Sequence, residues 1–261
     1  MSDDLVIADR VLSSRLFVGT GKYRTREEMV DALAASGTKM VTVALKRIDL
    51  ESNEETILDQ IDWGKYHILP NTAGCQTVEE ALYTARLAKT MGLSDWIKLE
   101  VIPDPKYLLP DPIGTLAAAT TLVEEGFIVL PYINDDPILA KRLEEAGCAT
   151  VMPLASPIGS GKGLVNFDQI KIIIEQSKIP VVVDAGLGAP SDAALAMELG
   201  ADAVLINSAI ALASDAPSMA DAIKMGVEAG RKAFRAGRIP KKPYASASSP
   251  QEDIPAWSVR N

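Results

Sequence analysis

The sequence predicts a single closed barrel of eight parallel strands and eight helices, a (β/α)8 or TIM barrel of the α/β class. Short apolar runs rich in β-branched residues recur along the 261 residues, and each is followed by turn-forming residues and a stretch with helical periodicity. Strands that alternate with single helices must pair in parallel through right-handed crossovers. Eight such units in about 250 residues fit a closed barrel better than an open sheet.

Each predicted strand is bounded by small or turn-forming residues. The eight candidates are 15–20 (RLFVGT), 39–44 (KMVTVA), 66–71 (YHILPN), 95–101 (DWIKLEV), 127–132 (FIVLPY), 149–154 (ATVMPL), 180–186 (PVVVDAG) and 203–208 (AVLINS). The run LVIADRVLSS, residues 5–14, precedes them, and we expect it to plug or flank the bottom of the barrel. The barrel domain is predicted to cover 1–237, and residues 238–261, rich in Pro, Ser and charge, are predicted to form a flexible tail.

Amphipathic segments between the strands predict the helices. They include 25–36, 77–92, 114–126, 136–147 and 191–200. Glycines lie where a left-handed residue would end these helices, at Gly37, Gly92, Gly126, Gly147 and Gly200.

The charge balance argues against some classes of partner. Asp and Glu outnumber Lys and Arg by 35 to 26, which gives a net charge of −9 and is unfavourable for binding a nucleic-acid duplex or an anionic membrane. The first residues do not resemble a signal peptide, and no run is apolar enough for a membrane span, so we expect a cytoplasmic protein. With two cysteines, no C-x-x-C and one histidine, neither a Cys/His zinc site nor a disulfide is expected.

Lys98 is an unusual residue for its predicted position. Side chains alternate along a strand, so Ile97, Leu99 and Val101 are expected to face the helices while Trp96 and Lys98 point into the barrel. A shielded lysine has a lowered pKa and a nucleophilic amine that forms Schiff bases with carbonyl groups. The alternatives are an ion pair inside the barrel, with Glu100 or Asp184, or a lysine that reaches solvent at the strand end.

Two carboxylates are predicted beside this lysine. Glu100 follows on the same face, roughly 6.6 Å along the strand. In PVVVDAG the same alternation points Val182 and Asp184 inward. Two carboxylates with different neighbours can supply an acid and a base, or they can simply balance the charge of Lys98.

The loop SPIGSGKGL, residues 156–164, has three glycines whose backbone N–H groups can approach an anion. It is not a P-loop, because Ser156 replaces the first glycine of that motif and Gly163 replaces its Ser or Thr. The loops after strands six and seven, with Asn207 and Ser208 after strand eight, surround the place where barrels commonly hold phosphate. We therefore predict a phosphate site there, with plain tight turns as the alternative.

Three weaker signals have simpler explanations. Cys75 follows the third strand and is expected to face the site, but as a bystander thiol, and His67 is expected to be a satisfied strand residue. The basic stretch 231–242 is interpreted as a solvated helix end, or as a surface that attracts an acidic protein tail.

A set of longer sequence blocks identifies a family. The blocks are GTGKY (19–23), VTVALKR (41–47), LPNTAGC (69–75), WIKLEV (96–101), LLPDP (108–112), VLPY (129–132), RLEEAGCATVMPLASPIGSGKGL (142–164), PVVVDAG (180–186) and AVLINSAIA (203–211). From about residue 5 to residue 250 the chain resembles bacterial thiazole synthases, which build the thiazole phosphate of thiamin. The tail after residue 250 and the run 52–67 diverge from the family pattern.

The resemblance implies a condensation of three inputs. These are 1-deoxy-D-xylulose 5-phosphate, dehydroglycine (glycine imine), and sulfur from the C-terminal thiocarboxylate of a small ubiquitin-like sulfur carrier protein. The family's Schiff-base lysine falls on Lys98 and its acid/base carboxylates fall on Glu100 and Asp184. No metal is needed for this reaction, and no cofactor is expected.

The resemblance also implies the sugar-phosphate contacts, which are Gly159, Ala185, Gly186, Asn207 and Ser208. Family members form homo-oligomers, often tetramers, and depend on a separate enzyme, an oxidase or a radical lyase, for dehydroglycine. Two alternatives remain: a Schiff-base aldolase acting on a phosphosugar, and a non-catalytic barrel that binds a phosphosugar or the carrier.

Overall fold

The computed structural model describes residues 3–45, 57–246 and 248, and it confirms the predicted barrel. The strands are β1 (Leu5–Ile7), β2 (Arg10–Leu12), β3 (Leu16–Gly19), β4 (Met40–Ala44), β5 (His67–Asn71), β6 (Trp96–Leu99), β7 (Ile128–Ile133), β8 (Met152–Pro153), β9 (Val182–Asp184) and β10 (Ala203–Ile206). The helices are α1 (Arg26–Ser36), α2 (Val78–Thr90), α3 (Pro112–Glu124), α4 (Pro137–Glu145), α5 (Phe167–Gln176), α6 (Pro190–Leu199), α7 (Ser208–Ala211) and α8 (Ala216–Ala236), and a 3-10 turn covers Ile57–Gln60.

Strands β3 to β10 form one parallel sheet. Its order is β8-β7-β6-β5-β4-β3-β10-β9, so each strand lies beside its neighbour in sequence except where β3 meets β10. Two parallel bridges, Val151 with Val181 and Leu154 with Asp184, join β8 to β9 and close the ring. All eight predicted barrel strands are therefore present, each starting within three residues of its predicted start.

The helices begin and end with local signals. Five of them have a side-chain N-cap that accepts a backbone N–H, from Thr25, Thr77, Asp111, Asp136 and Asp215. The five predicted terminal glycines all have positive φ, between 62° and 111°. Helices α5 and α8 were not among the segments named from periodicity. No described helix is both long and apolar enough to cross a membrane.

The hydrophobic core has two layers that follow the strand alternation. Ile97, Leu99 and Val101 pack in the outer layer between strands and helices, while Trp96 lies in the inner layer within the barrel. The predicted side-chain directions are confirmed for this strand. The inner layer comprises Leu5, Ile7, Leu12, Phe17, Met40, Leu69, Trp96, Leu130, Met152, Val182, Ala203 and Leu205.

The segment before the barrel forms an antiparallel hairpin, β1–β2. Leu5, Ile7 and Leu12 from this hairpin are buried in the inner layer. Arg10 contacts His67 and lies over the ring of Trp96, which begin β5 and β6, so the hairpin closes the N-terminal end of the barrel. The expectation that this segment plugs the bottom is confirmed.

The described part of the tail follows Gly237 and contains no helix or strand. Residues 247 and 249–261 of the predicted tail lie outside the described residues. The flexible tail and the domain boundary at 237 therefore stay predictions.

Candidate active site

A cavity of about 930 Å³ opens at the C-terminal ends of the barrel strands. In (β/α)8 barrels this end carries the active site, because the strand termini and the loops after them converge there. The predicted residues Lys98, Glu100 and Asp184 line this cavity, and so do all five predicted phosphate contacts. The structure thus brings together the three residues predicted for catalysis and the five predicted for phosphate binding.

Lys98 lies in a buried cluster of three charges. It is only 5% exposed, and its Nζ is 2.9 Å from Oε1 of Glu100 and 2.7 Å from Oδ2 of Asp184. Glu100 and Asp184 are equally buried. If both carboxylates are ionised, the cluster carries a net charge of minus one.

The pKa of Lys98 is shifted in the direction opposite to the one expected from the sequence. Burial, the largest single influence, lowers the pKa of the ammonium, but the charges of Asp184 and Glu100 and their hydrogen bonds together outweigh it. The net effect raises the pKa of Lys98 above its ordinary value, so the expectation of a lowered pKa was wrong. Without substrate, Lys98 is an ammonium ion held between two carboxylates at the wall of an open cavity.

Hydrogen bonds hold the backbone of Glu100 and the carboxylate of Asp184 in place. Thr72 is buried beside Glu100, and its hydroxyl accepts the Glu100 N–H at 2.7 Å and donates to the Glu100 carbonyl at 2.8 Å. Oδ1 of Asp184 accepts the N–H of Ala185 at 2.7 Å. Since these bonds fix both residues next to the lysine, the cluster is preorganised to exchange protons with it.

Tyr132 forms an apolar wall beside the lysine. Its ring centroid is 5.4 Å from Nζ of Lys98, and its hydroxyl donates to the carbonyl of Leu108 at 3.3 Å. Burial raises the pKa of Tyr132, which keeps the phenol neutral. No local sequence pattern distinguishes this residue, although the family block VLPY contains it.

The glycine loops after β8 and β9 lie against each other. Gly159 and Gly186 have φ of 72° and 71°, a conformation that favours glycine. The Ser156 hydroxyl donates to the Gly186 carbonyl at 3.2 Å, and the Gly163 N–H donates to the same carbonyl at 2.9 Å. These bonds keep backbone groups of both loops at the edge of the cavity.

The remaining predicted phosphate contacts lie on the same side. Ala185 has a left-handed backbone with φ of 58°. Asn207 and Ser208 follow β10, and the buried Oδ1 of Asn207 makes no hydrogen bond with any described residue. A polar atom without a partner at a cavity wall suits the binding of a ligand group.

Two further polar residues of the cavity were not predicted from the sequence. Lys22 lines it, and its Nζ donates to Oγ of Ser208 at 3.3 Å. Asn71 pairs across the strands with Lys98 and donates from Nδ2 to the hydroxyl of Thr42 at 2.9 Å. Both belong to family blocks, GTGKY and LPNTAGC, but no local pattern distinguishes them from ordinary loop and strand residues.

The weaker signals lie away from the cavity. Cys75 is fully buried in the outer core, and its Sγ lies 3.3 Å from Oγ1 of Thr84. The expectation that Cys75 faces the site was therefore wrong. Its burial agrees with the expectation that its thiol takes no part in the chemistry. His67 contacts Arg10 at the opposite end of the barrel, as a satisfied strand residue. Residues 231–236 of the basic stretch belong to the last turns of α8. Within the described ranges, no three His, Cys, Asp or Glu side chains are grouped to hold a metal ion.

Comparisons with known proteins agree with these features. Residues 6–250 match the family described as "Thiazole biosynthesis protein ThiG". The chain is 63% identical over 253 residues to the thiazole synthase of Thermosynechococcus vestitus. The aligned region covers 94% of this chain and 91% of that relative. The chain is also 61% identical over 257 residues to the bifunctional protein ThiO/ThiG of Trichormus variabilis. That alignment covers 96% of this chain but only 39% of the longer protein.

A solved structure gives a similar result. The crystal structure of the Amycolatopsis orientalis BexX/CysO complex contains a chain with 34% sequence identity and a TM-score of 0.82. The alignment covers 92% of this chain and 98% of that one.

Proposed function

The chain belongs to the ThiG family of thiazole synthases, and from this membership we propose that it condenses 1-deoxy-D-xylulose 5-phosphate, dehydroglycine and carrier-borne sulfur through a Schiff base on Lys98. The product is the carboxylated thiazole phosphate used for thiamin. The observation that carries the proposal is the buried cluster of Lys98, Glu100 and Asp184 on the wall of the cavity.

The first step requires a proton transfer. Lys98 is an ammonium ion before substrate binds, because the two carboxylates raise its pKa, and only the free amine is nucleophilic. Glu100 and Asp184 both lie within 3 Å of Nζ, so either can accept the proton. The amine then attacks C2 of the ketose, and the carbonyl oxygen leaves as water when the imine forms.

The later steps use the same three residues. Tautomerisation moves the carbonyl from C2 to C3 as protons pass between carbon, oxygen and nitrogen, and the carboxylates shuttle these protons. The thiocarboxylate sulfur of the carrier attacks C3. The acyl group of the carrier then passes from sulfur to the C3 oxygen, so that the carrier leaves as its carboxylate and the sulfur stays on C3. This sulfur adds to the imine carbon of dehydroglycine. The dehydroglycine nitrogen attacks C2 and releases the amine of Lys98 as the ring closes, with loss of water.

The partners follow from the same argument. The relative solved as a BexX/CysO complex supports the docking of a second protein on such a barrel, here the sulfur carrier. The bifunctional ThiO/ThiG relative supports a second activity that operates beside the barrel, and we assign the supply of dehydroglycine to such a partner. A cytoplasmic homo-oligomer, a tetramer by resemblance to the family, completes the proposal.

Reduction with borohydride in the presence of 1-deoxy-D-xylulose 5-phosphate tests the proposal directly. We expect a stable adduct on the peptide that contains Lys98, identified by mass spectrometry. An adduct confined to other lysines would overturn the assignment. Release of a three-carbon fragment without sulfur incorporation would instead indicate an aldolase.

The variant Asp184→Asn separates adduct formation from the later proton transfers. Adduct formation is expected to persist, because Glu100 still accepts the proton from Lys98. Turnover with carrier thiocarboxylate and dehydroglycine should fall by roughly 10²-fold or more, as expected for a lost general acid or base. Turnover at the wild-type rate would remove Asp184 from the mechanism.

A further inference from the structure

Lys22 places a positive charge beside the glycine loops of the cavity. It lies between β3 and α1, lines the cavity, and donates from Nζ to Oγ of Ser208. A side chain built at Gly159 would lie 3.4 Å from the same Nζ. The ammonium group therefore lies beside two of the residues assigned to phosphate binding.

This ammonium has no anionic partner among the described residues. Its hydrogen bond is to a neutral hydroxyl, whereas Lys98, Arg24, Arg86 and Arg231 each form an ion pair with a carboxylate. An ammonium group that lines a cavity and has no carboxylate partner can form a charge-assisted hydrogen bond with an anionic ligand.

The backbone around Lys22 is unusual for a lysine. Its φ is 74°, a left-handed conformation that residues with a Cβ seldom adopt and that is found at sites where the surrounding structure enforces it. Nearby, the end of β3 closely approaches Asn207, since a Cβ at Gly19 would lie 2.8 Å from Cβ of Asn207. The end of β3 thus packs directly against the start of the segment that carries Ser208.

The charges of the cavity explain why a cation is needed there. With both carboxylates ionised, the cluster around Lys98 is net negative and repels a phosphate dianion. The glycine loops offer N–H dipoles but no formal charge. A lysine at the phosphate end offsets this repulsion and orients the substrate with its ketone towards Lys98.

We propose that Lys22 is a phosphate-binding residue that, together with Ser208, selects phosphorylated over unphosphorylated ketose. This inference rests on the proposed function, because it places the phosphate of that substrate at the loops around Gly159 and Ser208. The chemical class recognised is a phosphate monoester dianion.

The experiment measures borohydride trapping on Lys98 against the concentration of two ketoses, 1-deoxy-D-xylulose 5-phosphate and 1-deoxy-D-xylulose. The variant Lys22→Met keeps the length of the side chain and removes its charge, and Lys22→Arg restores the charge. Lys141→Met is the matched control, since Lys141 on α4 is exposed, as Lys22 is, but does not line the cavity.

For Lys22→Met we expect the half-saturating concentration of the phosphorylated ketose to rise about tenfold or more, as for the loss of a charged hydrogen bond. The unphosphorylated ketose should be trapped as in the wild type. Lys22→Arg should recover most of the affinity, and Lys141→Met should behave as the wild type. Equal losses for both ketoses, or none for either, would overturn the inference.

A second measurement keeps the inference testable if no adduct forms on Lys98. Titration calorimetry with inorganic phosphate alone should show binding to the wild type and to Lys141→Met, and binding at least tenfold weaker to Lys22→Met. Equal binding of phosphate by wild type and Lys22→Met contradicts the role of Lys22. Absence of an adduct with phosphate binding retained contradicts only the Schiff-base proposal.

Discussion

At the N-terminal end of the barrel the hairpin β1–β2 and the inner core fill the space between the strands, whereas at the C-terminal end a cavity of about 930 Å³ opens above the same strands. Both ends carry clusters of charges. Asp3 pairs with Arg15, Arg231 and Arg235 at the filled end, and its side chain stays 24% exposed. Lys98 and its two carboxylates at the open end are almost completely buried.

Glycines with positive φ at the two ends also differ in how much space surrounds them. Gly92 and Gly126 end helices with positive φ, and a Cβ at either would meet nothing within 4 Å. Gly186 has nearly the same φ, but its Cβ would lie 1.9 Å from Oγ of Ser156 and 2.6 Å from the Ser156 carbonyl oxygen. A side chain therefore has room at Gly92 and Gly126 but not at Gly186, where the backbone of a second loop packs closely.

The largest difference between the ends is expected for Gly186→Ala against Gly92→Ala. Both add a Cβ at a positive φ, which costs about 1 kcal/mol. At Gly186 the added atom also collides with backbone, so the free energy of unfolding should fall by about 4 kcal/mol or more, or the chain should fail to fold. Urea denaturation of both variants measures this, and equal losses would contradict the close packing of the two loops.

Lys98→Met should have the next largest effect on stability. It leaves Glu100 and Asp184 buried without their cation, which is expected to cost about 3–5 kcal/mol at pH 8. Borohydride trapping should be abolished. The double variant Lys98→Met/Asp184→Asn is the control and should recover part of the stability but no trapping.

Asp3→Ala tests the charge cluster at the filled end. Removing the carboxylate leaves three arginines without their shared partner, and we expect a loss of about 1–2 kcal/mol, limited by solvent exposure. The concentration dependence of trapping on Lys98 should not change. A changed trapping curve with folded protein would show that the two ends are coupled.

The smallest effect is expected for the substitution His67→Gln, which should change how the free energy of unfolding depends on pH. Burial, and then repulsion by Arg10, lower the pKa of His67 below its ordinary value of 6.5. As the pH falls through that value, the unfolded chain takes up a proton that the folded chain resists, so the free energy of unfolding should decrease. Denaturation curves between pH 7.5 and 5.5 should show a shallower decrease for His67→Gln, and identical slopes would contradict this assignment.

The strands were predictable because burial on one face and β-branched composition are local properties. DWIKLEV and PVVVDAG both showed which side chains face the barrel interior, and this was enough to place Lys98 and Asp184 on the same inner surface. Helix ends were predictable for the same reason, since each terminal glycine acts on its own turn.

The pKa of Lys98 was not predictable in this way. The direction of its shift depends on distances to Asp184, which lies 86 positions further along the chain, and on whether burial or charge is the stronger influence. Lys22 was missed because its proximity to Ser208 depends on the contact between Gly19 and Asn207 across two strands.

The order and spacing of residues along the chain thus determine the barrel, the hairpin that plugs it and the inward direction of three charged side chains. Each of these features follows from the periodicity of a few neighbouring residues. The protonated state of Lys98, the close fit of Gly186 against Ser156 and the position of Lys22 arise only when the ring closes. Electrostatic energies and steric contacts depend on distances between atoms, and closing the barrel sets those distances among residues far apart in sequence.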